Sequence, residues 1–295
     1  MEVYKQASES IEKLLRVKIS TSQVWRKSDK VGQGIDEQVK EEIPSIELNE
    51  DEVVYAQVDG GMILTDSGWE EVKVGRIFSE QNIKLQSSNT TRKVINHSQY
   101  AAYLGSHDQF TSVFENGLQH YENIGKRLVF VTDGAIWIQN WIKKKYPKAR
   151  MILDFYHVLE HISKAGKLLI KDESKFKDWL KRQKKNLLES KIDRVIGALH
   201  GLRATTVEQV DEKMRQIKYL NKNRYRINYK LYRRLGLQIG SGAIEASHRT
   251  LVQKRMKRSG QRWSAEGANK MLNLRVAFKS ERWSLVENIF KNAAA

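Results

Sequence analysis

Three carboxylates stand where the sequence pattern changes from one element to the next. Asp59 follows the apolar run 53–58, Asp133 follows the apolar run 128–132, and Glu245 follows a glycine-rich loop as a helix begins. Carboxylate oxygens are the hard ligands that Mg²⁺ and Mn²⁺ prefer. Two such ions can promote the in-line displacement of a phosphodiester. The three acids therefore predict a site for two divalent metal ions.

Each acid also has a purely structural explanation, which the sequence leaves open. Asp-Gly is a common turn pair, so the pairs at 59–60 and 133–134 can simply turn the chain. Glu245 can be an acid favoured at a helix N-terminus and paired with Arg249 one helical turn later. The metal site thus depends on a fold that brings the three acids to one edge of a sheet.

A second constellation comprises Asp154, His157 and His161. The stretch 157–161 fits the H-x-x-E-H pattern of inverted zinc peptidases, in which two histidines one helical turn apart bind zinc. Such a site also needs a third protein ligand. The structural alternative is that Asp154 caps a helix and hydrogen-bonds to His157. We favour a third interpretation, in which Asp154 and His157 have an accessory role beside the metal site, contacting DNA or orienting a ligand.

The charge of the chain is large and uneven. The formal net charge is +17. Residues 1–60 carry a net charge of −5, so the remainder carries +22. A positive field of this size predicts binding to a polyanion such as nucleic acid, and a basic surface without a nucleic-acid partner is the alternative.

Three basic tracts carry this charge. Residues 164–185 can be a solvated helix face, whereas residues 218–234 interleave cations with four tyrosines that could stack on unpaired or distorted bases. The third tract, 248–262, contains six Lys and Arg residues and no acid directly after Glu245, and would neutralise backbone phosphates there. The predicted DNA-binding residues are Arg249, Lys254, Arg255, Lys257, Arg258, Arg262 and Trp263.

The predicted elements indicate a mixed α/β protein. Residues 1–30 predict helix, turn, helix, and an acidic linker follows from residue 32 to residue 50. The periodicity then predicts strands at 53–58, 71–78 and near 83–87, a helix over 98–121, a strand at 128–132, a helix over 135–145 and a strand at 149–153. Strands joined by crossover helices imply a partly parallel sheet, with sites at the carboxyl ends of those strands.

The rest of the chain predicts helices. Residues 156–235 have long Lys-rich stretches and no strand signal, a further helix runs from the loop at 240–242 to about residue 258, and a last helix covers 265–278. We expect four segments: 1–50 as a short helical amino-terminal segment and linker, 51–155 as the first part of the core, 156–239 as a helical insertion, and 240–295 as helices that complete the core.

Composition excludes several classes of function. The 295 residues include no cysteine, which excludes disulfides, thiolate zinc fingers and a thiol nucleophile. The longest apolar runs have the length of strands, far below the roughly 20 residues of a membrane span. The amino terminus has no basic-then-apolar signal sequence. We expect a soluble cytoplasmic protein without a membrane partner.

Several blocks of sequence resemble a known family. These blocks are VDGGM at 58–62, TDGAIWI at 132–138, LDFYH at 153–157, GSGAIE at 240–245, QKRMK at 253–257 and SGQRWS at 259–264. In this order they resemble bacterial insertion-sequence transposases of the DDE class, close to the Mutator-like group. The resemblance covers residues 52–282.

The resemblance implies a fold, a site and a reaction. The fold would be a ribonuclease H-like mixed sheet flanked by helices, with a large all-helical insertion before the last catalytic helix. Asp59, Asp133 and Glu245 would be the catalytic triad that binds two Mg²⁺ (or Mn²⁺) ions, and the family's C/D-x-x-H element falls on Asp154 and His157. The reaction would be hydrolytic nicking at the element ends, followed by attack of the freed 3′-hydroxyl on target DNA.

The resemblance also implies partners and leaves rivals. Element ends and target DNA would be bound by a homodimer or higher oligomer in a prokaryotic, nucleoid-associated setting. Related transposases are usually longer at the amino end, so the sequence predicts an amino-terminally truncated copy or a partner that supplies recognition. The alternatives are a non-catalytic DNA-binding remnant or self-repressor of a transposable element, and a nuclease or junction resolvase that cuts without joining.

Overall fold

The chain folds into two compact units. The structure, a computed structural model, describes residues 2–38, 48–49, 51–86, 93–119, 121 and 127–292. One unit comprises Met1–Ile124 and Ala243–Ala295, and the other comprises Gly125–Gly242. The boundaries of these units differ from those of the four predicted segments. The second unit includes strands before residue 155 as well as the helices after it.

The strands are β1 (Val54–Thr65), β2 (Gly68–Ser79), β3 (Ile83–Leu85), β4 (Lys93–Ile95), β5 (Gln99–Leu104), β6 (Leu128–Thr132) and β7 (Arg150–Leu153). The helices are α1 (Glu2–Leu15), α2 (Thr21–Gln38), α3 (His107–Leu118), α4 (Ile136–Lys145), α5 (Phe155–Leu169), α6 (Glu173–Leu188), α7 (Ile192–His200), α8 (Val207–Lys222), α9 (Tyr229–Arg234), α10 (Gly242–His248), α11 (Lys254–Met256), α12 (Ala265–Lys279) and α13 (Ser284–Asn292). A π-helical segment, Arg249–Gln253, joins α10 to α11. In the described residues, none of these helices is both long and apolar enough to cross a membrane.

The first unit contains a three-stranded antiparallel sheet in the order β5-β2-β1. Strands β1 and β2 pair over their whole lengths, from Val54 opposite Ser79 to Thr65 opposite Gly68. The predicted strands at 53–58 and 71–78 are therefore confirmed, but each is longer than predicted. The longer pairing places Asp59 in the interior of β1.

The prediction of a helix over 98–121 is wrong for its first part. Residues 99–104 form β5, which pairs with β2, and only residues 107–118 form a helix. The two alanines and the leucine of this run favour a helix. The hydrogen bonds and burial gained by pairing with β2 override that helical preference. The helix starts where Ser106 and Gln109 form a capping box, directly after Gly105 with its φ of +147°.

The third predicted strand, near 83–87, is confirmed only as the short β3. This strand pairs with β4 in a separate two-stranded sheet. Residue 87 lies outside the described residues. The third main strand of this unit is β5 instead.

The amino-terminal helix pair belongs to the first unit. The second predicted helix continues to Gln38, so the linker does not begin at residue 32 as predicted. The cause is packing: Val31 and Ile35 bury against Leu285 and Val286 of α13. Gly32 approaches α12 so closely that a Cβ would lie 2.3 Å from the Lys270 carbonyl oxygen. Residues 39–47 and 50 of the predicted linker lie outside the described residues.

The second unit contains the parallel pair β6 and β7 with α4 between them in sequence, and the helices α5 to α9. The predicted strands, the crossover helix and the helical region 156–235 are confirmed. The protein is thus mixed α/β, with strands in both orientations and many helices around them.

The carboxy-terminal helices are more broken than predicted. The helix after residue 242 changes to a π-helical segment at Arg249 and ends at Met256. The predicted helix over 265–278 is confirmed as α12. The chain then turns at Glu281, whose φ is +58°, and forms α13, which the sequence did not predict.

Candidate active site

Asp59 lies within β1 and not at a strand end. It is opposite Val74 of β2, and the antiparallel pairing continues on both sides of it. The alternative in which residues 59–60 turn the chain is therefore wrong, as is the prediction that Asp59 closes a strand. The Asp59 side chain is partly exposed, and its Oδ1 accepts a hydrogen bond of 2.9 Å from the Gly60 N–H.

Helix α10 covers the face of the sheet to which Asp59 belongs. Gly61 and Asp59 lie two residues apart, so they share a face of β1. A Cβ on Gly61 would lie 2.1 Å from Cε1 of His248, the last residue of α10. Glu245 lies three residues before His248, one turn back along the same helix.

Arg76 anchors the other end of α10 to the same face. Arg76 lies opposite Gln57, two residues before Asp59 on the strand. Its Nη1 donates to the Ala243 carbonyl oxygen at 3.0 Å and to Ser247 Oγ at 3.3 Å. Helix α10, which carries the exposed Glu245, thus packs over the face of β1 to which Asp59 belongs.

The side chain of His248 is buried. Burial lowers its pKa, and its side chain hydrogen-bonds to the Val72 backbone. The Nε2 atom is buried and has no hydrogen-bond partner within the described part of the chain. A ring nitrogen without a hydrogen-bond partner therefore lies against Gly61.

A π-helical segment follows Glu245 and its helix. The wider turn of a π-helix leaves carbonyl groups without their usual α-helical partners. Arg275 of α12 satisfies two of them, donating from Nε to the Leu251 carbonyl at 3.0 Å and from Nη2 to the Thr250 carbonyl. This arginine therefore fixes the irregular segment that follows the helix of Glu245, within the third basic tract.

Asp133 lies in the second unit, directly after β6, as predicted. Its Oδ1 accepts a hydrogen bond of 3.0 Å from the Ala135 N–H, so the carboxylate also shapes the loop that opens α4. The fully buried Arg226 donates to the Asp133 carbonyl oxygen at 3.1 Å and to Asn223 Oδ1 at 2.9 Å. Burial lowers the pKa of Arg226. This cation thus holds the Asp133 loop from within.

Asp154 caps α5 and ties two loops together. Its Oδ1 accepts from the His157 N–H at 2.5 Å, and its Oδ2 accepts from the Ser241 N–H. The side chain is only 2% exposed. The structural alternative for Asp154 is therefore confirmed: both oxygens position the chain, one at the start of α5 and the other in the loop that leads to α10.

His157 takes part in a chain of polar groups that runs away from Asp154. Its Nε2 lies 3.1 Å from His161 Nε2, and His161 Nδ1 lies 2.6 Å from Gln216 Oε1. The amide of Gln216 donates to Glu212 Oε1 at 2.7 Å. Because an amide oxygen can only accept, His161 must donate from Nδ1 and accept at Nε2, which makes His157 the donor.

This assignment agrees with the environment of His161. Burial lowers the pKa of His161, and the nearby His157 and Lys164 add to this, while the hydrogen bond to Gln216 and the charge of Glu160 oppose it in part. Tyr219 stacks on the His161 ring with centroids 4.0 Å apart. A neutral His161 therefore fixes the ring and the tautomer of His157.

The structure describes no group of three or more His, Asp or Glu side chains that could hold a metal ion. The H-x-x-E-H interpretation thus has two histidines and no third ligand among the described residues. Asp59 and Glu245 both belong to the first unit and are hard oxygen donors suited to Mg²⁺. Asp133 belongs to the other unit, and its convergence with them stays a prediction.

The cations of the third basic tract are mostly exposed. Arg249, Lys254, Lys257, Arg258 and Arg262 are exposed, and Arg255 is half-buried over the Tyr4 ring. Trp263 is the exception, since only 9% of it is exposed and its indole N–H donates to the Met256 carbonyl at 3.1 Å. Its main role is in the core, contrary to the prediction of an open DNA contact.

The tyrosines of the second basic tract also differ from the prediction. Tyr229 is fully buried, Tyr232 is 5% exposed and Tyr219 packs on His161. Only Tyr225 of the four is largely exposed, at 51%. A run of tyrosines that could stack on bases is thus mainly part of the helical core of this unit.

Sequence reasoning missed several residues of the site. The sequence pattern identifies His161 only as a possible zinc ligand, and it does not identify Gln216, Arg226 or Arg275. The spacing of His157 and His161 signals a shared helix face. No local signal identifies the arginines, because their partners are backbone carbonyls far away in sequence.

Comparison with known proteins gives a family and one described relative. The model of UPF0236, an uncharacterised protein family, matches residues 1–288. The "UPF0236 protein in vanSb 3'region" of Streptococcus gallolyticus is 26% identical over 298 residues, which cover 98% of this chain and 62% of the relative. The chain thus spans about three fifths of the length of the curated relative that it matches.

Replacing Gly61 with alanine tests the contact between β1 and α10. The added methyl group would overlap the buried His248 ring, so we expect the free energy of unfolding to fall by about 1–3 kcal/mol. Chemical denaturation measures this change. The control is Gly197→Ala in α7, where a Cβ meets nothing within 4 Å and should stabilise the helix by about 0.5–1 kcal/mol. Equal effects of the two substitutions would contradict the packing of α10 on this face.

The lowered pKa values of His161 and His248 predict a dependence of stability on pH. Near pH 6.5 the unfolded chain binds protons that the folded chain does not bind, so acid favours unfolding. The stability present above about pH 6.5 should be lost as the pH falls toward the lowered pKa values. The variants His161→Gln and His248→Gln should each reduce this slope in denaturation curves between about pH 7 and pH 5.5. Slopes that stay unchanged in both variants would contradict the burial of neutral rings.

Proposed function

The chain belongs to UPF0236, an uncharacterised protein family, and we propose that it is a DDE transposase that cleaves and transfers DNA strands with Mg²⁺ or Mn²⁺. The observation that carries this proposal is the placement of Glu245 on the helix that covers the Asp59 face of β1. The helix that carries Glu245 and the strand that carries Asp59 are remote in sequence and pack against each other.

The order of elements supports a ribonuclease H-like core. Three antiparallel strands come first, and a parallel pair with a helix between its strands follows. The helices α5 to α9 then precede the helix that carries Glu245. This order agrees with the helical insertion before the last catalytic helix that the resemblance implies.

The three carboxylates would hold the metal ions. Asp59 is rigid because it lies within a paired strand, and Asp133 is rigid because Arg226 and the Ala135 N–H fix its loop. Rigid oxygen ligands suit Mg²⁺, which demands nearly regular octahedral geometry. Bound there, the metal would supply an activated hydroxyl and charge stabilisation for displacement at phosphorus.

Other side chains would hold the substrate. The exposed cations Arg249, Lys254 and Arg262 would neutralise phosphates, and the DNA affinity would therefore fall with added salt. His157, whose Nε2–H donates to His161, would offer its Nδ1 as a hydrogen-bond acceptor near the reacting strand. Asp154 would position the loop before Glu245 and touch no substrate itself.

The proposal includes the partners. Element ends and target DNA would be the substrates, and a homodimer or higher oligomer would bring two ends together. Transfer of a 3′-hydroxyl to a second DNA is the feature that separates a transposase from a nuclease or resolvase of the same fold. A remnant or self-repressor would bind DNA and cut none.

Nicking of supercoiled plasmid tests the assignment of the acids. Asp59→Asn, Asp133→Asn and Glu245→Gln should each reduce Mg²⁺-dependent nicking by roughly a hundredfold or more, because each weakens the binding of the metal ions that would stabilise charge at the reacting phosphate. Gel-shift affinity for DNA should change little, since the basic tracts remain. The matched control is Asp66→Asn, an exposed carboxylate in the turn after β1.

The outcomes separate the alternatives. Nicking that EDTA abolishes, together with strand-transfer products, supports the transposase, and nicking without transfer products supports the nuclease. DNA binding without any nicking supports the remnant or repressor. Full nicking activity in the Asp133→Asn protein refutes the assignment of the three acids.

A further inference from the structure

A cavity of about 590 Å³ lies in the first unit between α2 and the start of α12. The loop at 259–264 forms another wall. The lining residues that bear on its chemistry are Trp25, Asp29, Arg262, Trp263, Glu266 and Lys270. A volume of this size is typical of sites for small organic groups.

The loop wall is rigid. The Trp263 N–H donates to the Leu64 carbonyl at 3.1 Å, and the Asp66 N–H donates to the Trp263 carbonyl at 2.9 Å, which fastens the loop to the end of β1. Gln261 accepts from the Arg258 N–H through its Oε1 at 3.2 Å. Gly260, with a φ of +68°, makes the turn that this path requires. The cavity is therefore preformed.

The cavity offers aromatic surface. Trp25 of α2 is 47% exposed, and the more buried Trp263 also lines the cavity. An exposed tryptophan in a preformed cavity provides a flat surface on which a planar ring can stack. Base–aromatic stacking is the general means by which proteins hold unpaired nucleobases.

The charges inside the cavity are balanced. Lys270 Nζ lies 2.9 Å from Asp29 Oδ2 and 2.7 Å from Glu266 Oε1, so one cation is shared by two carboxylates. The exposed Arg262 supplies the second positive charge. This balance disfavours a phosphate inside, whereas the carboxylates can accept hydrogen bonds from the exocyclic amino groups of bases.

Cations adjoin the cavity from outside. Arg255 stacks over Tyr4, a lining residue, and Arg258 donates from Nη1 to Gln6 Oε1 at 2.9 Å. Both side chains are thus held next to the cavity by α1. A base in the cavity would have its flanking phosphates within the reach of fixed positive charges.

We propose that this cavity binds one unpaired nucleobase of the DNA, stacked on Trp25. The inference rests on the proposed function, because it names a second DNA contact of the same protein. It adds that the protein prefers DNA with unpaired bases at or near an end over fully paired DNA.

Binding to matched DNAs without Mg²⁺ tests this inference apart from any cleavage. The probes are a blunt duplex, the same duplex with a three-nucleotide single-stranded end, and that end with abasic sites in place of its bases. The wild-type protein should bind the single-stranded end roughly tenfold or more tightly than the blunt end, and the abasic end should lose this preference. Fluorescence anisotropy measures the three dissociation constants.

Variants then assign the preference to the cavity. Trp25→Ala should abolish the preference and Trp25→Phe should retain part of it, while both keep the affinity for the blunt duplex. The matched control is Trp283→Ala, which removes a tryptophan of the same 47% exposure at the start of α13, outside the cavity.

Three results overturn the inference: a wild-type protein without the preference, a preference that persists with the abasic end, or a preference that Trp25→Ala leaves intact. The abasic comparison needs no variant and so does not depend on the folding of the Trp25→Ala protein. A preference that depends on Trp25 in a protein that never nicks DNA supports the cavity and refutes the transposase. Nicking without this preference does the reverse.

Discussion

The close contact between Gly61 and His248 is the constraint on which the candidate site depends. A strand normally keeps a helix at the distance that its side chains set. The missing Cβ of Gly61 lets the buried His248 ring lie directly on the backbone of β1. Arg76 binds Ala243 at the amino-terminal end of the same helix and Ser247 beside His248, so the helix is held along its length. The position of Glu245 relative to Asp59 follows from these two contacts.

The second unit achieves rigidity by a different means. Buried polar side chains hold its loops through hydrogen bonds to backbone groups. Arg226 binds the carbonyl of Asp133, and Asp154 binds the amides at both 157 and 241. Such networks are costly when a partner is lost, because a buried donor or acceptor is then left without a hydrogen bond. The loops that carry the acids are therefore strongly specified.

The sequence predicted most elements of the fold but not their lengths. Apolar runs identified β1, β2, β6 and β7, because buried strands need them. The sequence predicts β1 only as far as residue 58, because Asp59 and the two glycines that follow it are typical of a turn. Cross-strand pairing, which local sequence does not reveal, overrides that preference. Cross-strand pairing with β2 also explains why residues 99–104 form a strand where the local sequence predicts the start of a helix.

The sequence predicted the residue types of the candidate site, but it predicted only some of the residues that surround and fix them. Carboxylates and histidines carry a signal in their own spacing, so Asp154 and His157 were found together. Arginines that bind backbone carbonyls carry none, because their partners are remote in sequence. Burial was the other gap: Trp263 and Tyr229 resemble DNA contacts by type and neighbours, but the packing of helices encloses both.

The π-helical segment after α10 sets an angle as well as a path. Each π turn contains about one more residue than an α turn, so the residues beyond Gln253 are rotated around the axis relative to those before Arg249. The exposed cations after this segment therefore point in a different direction from the one they would have if the helix that carries Glu245 continued as a regular α-helix. One inserted or deleted residue here would re-aim the positive charges while leaving every carboxylate in its place.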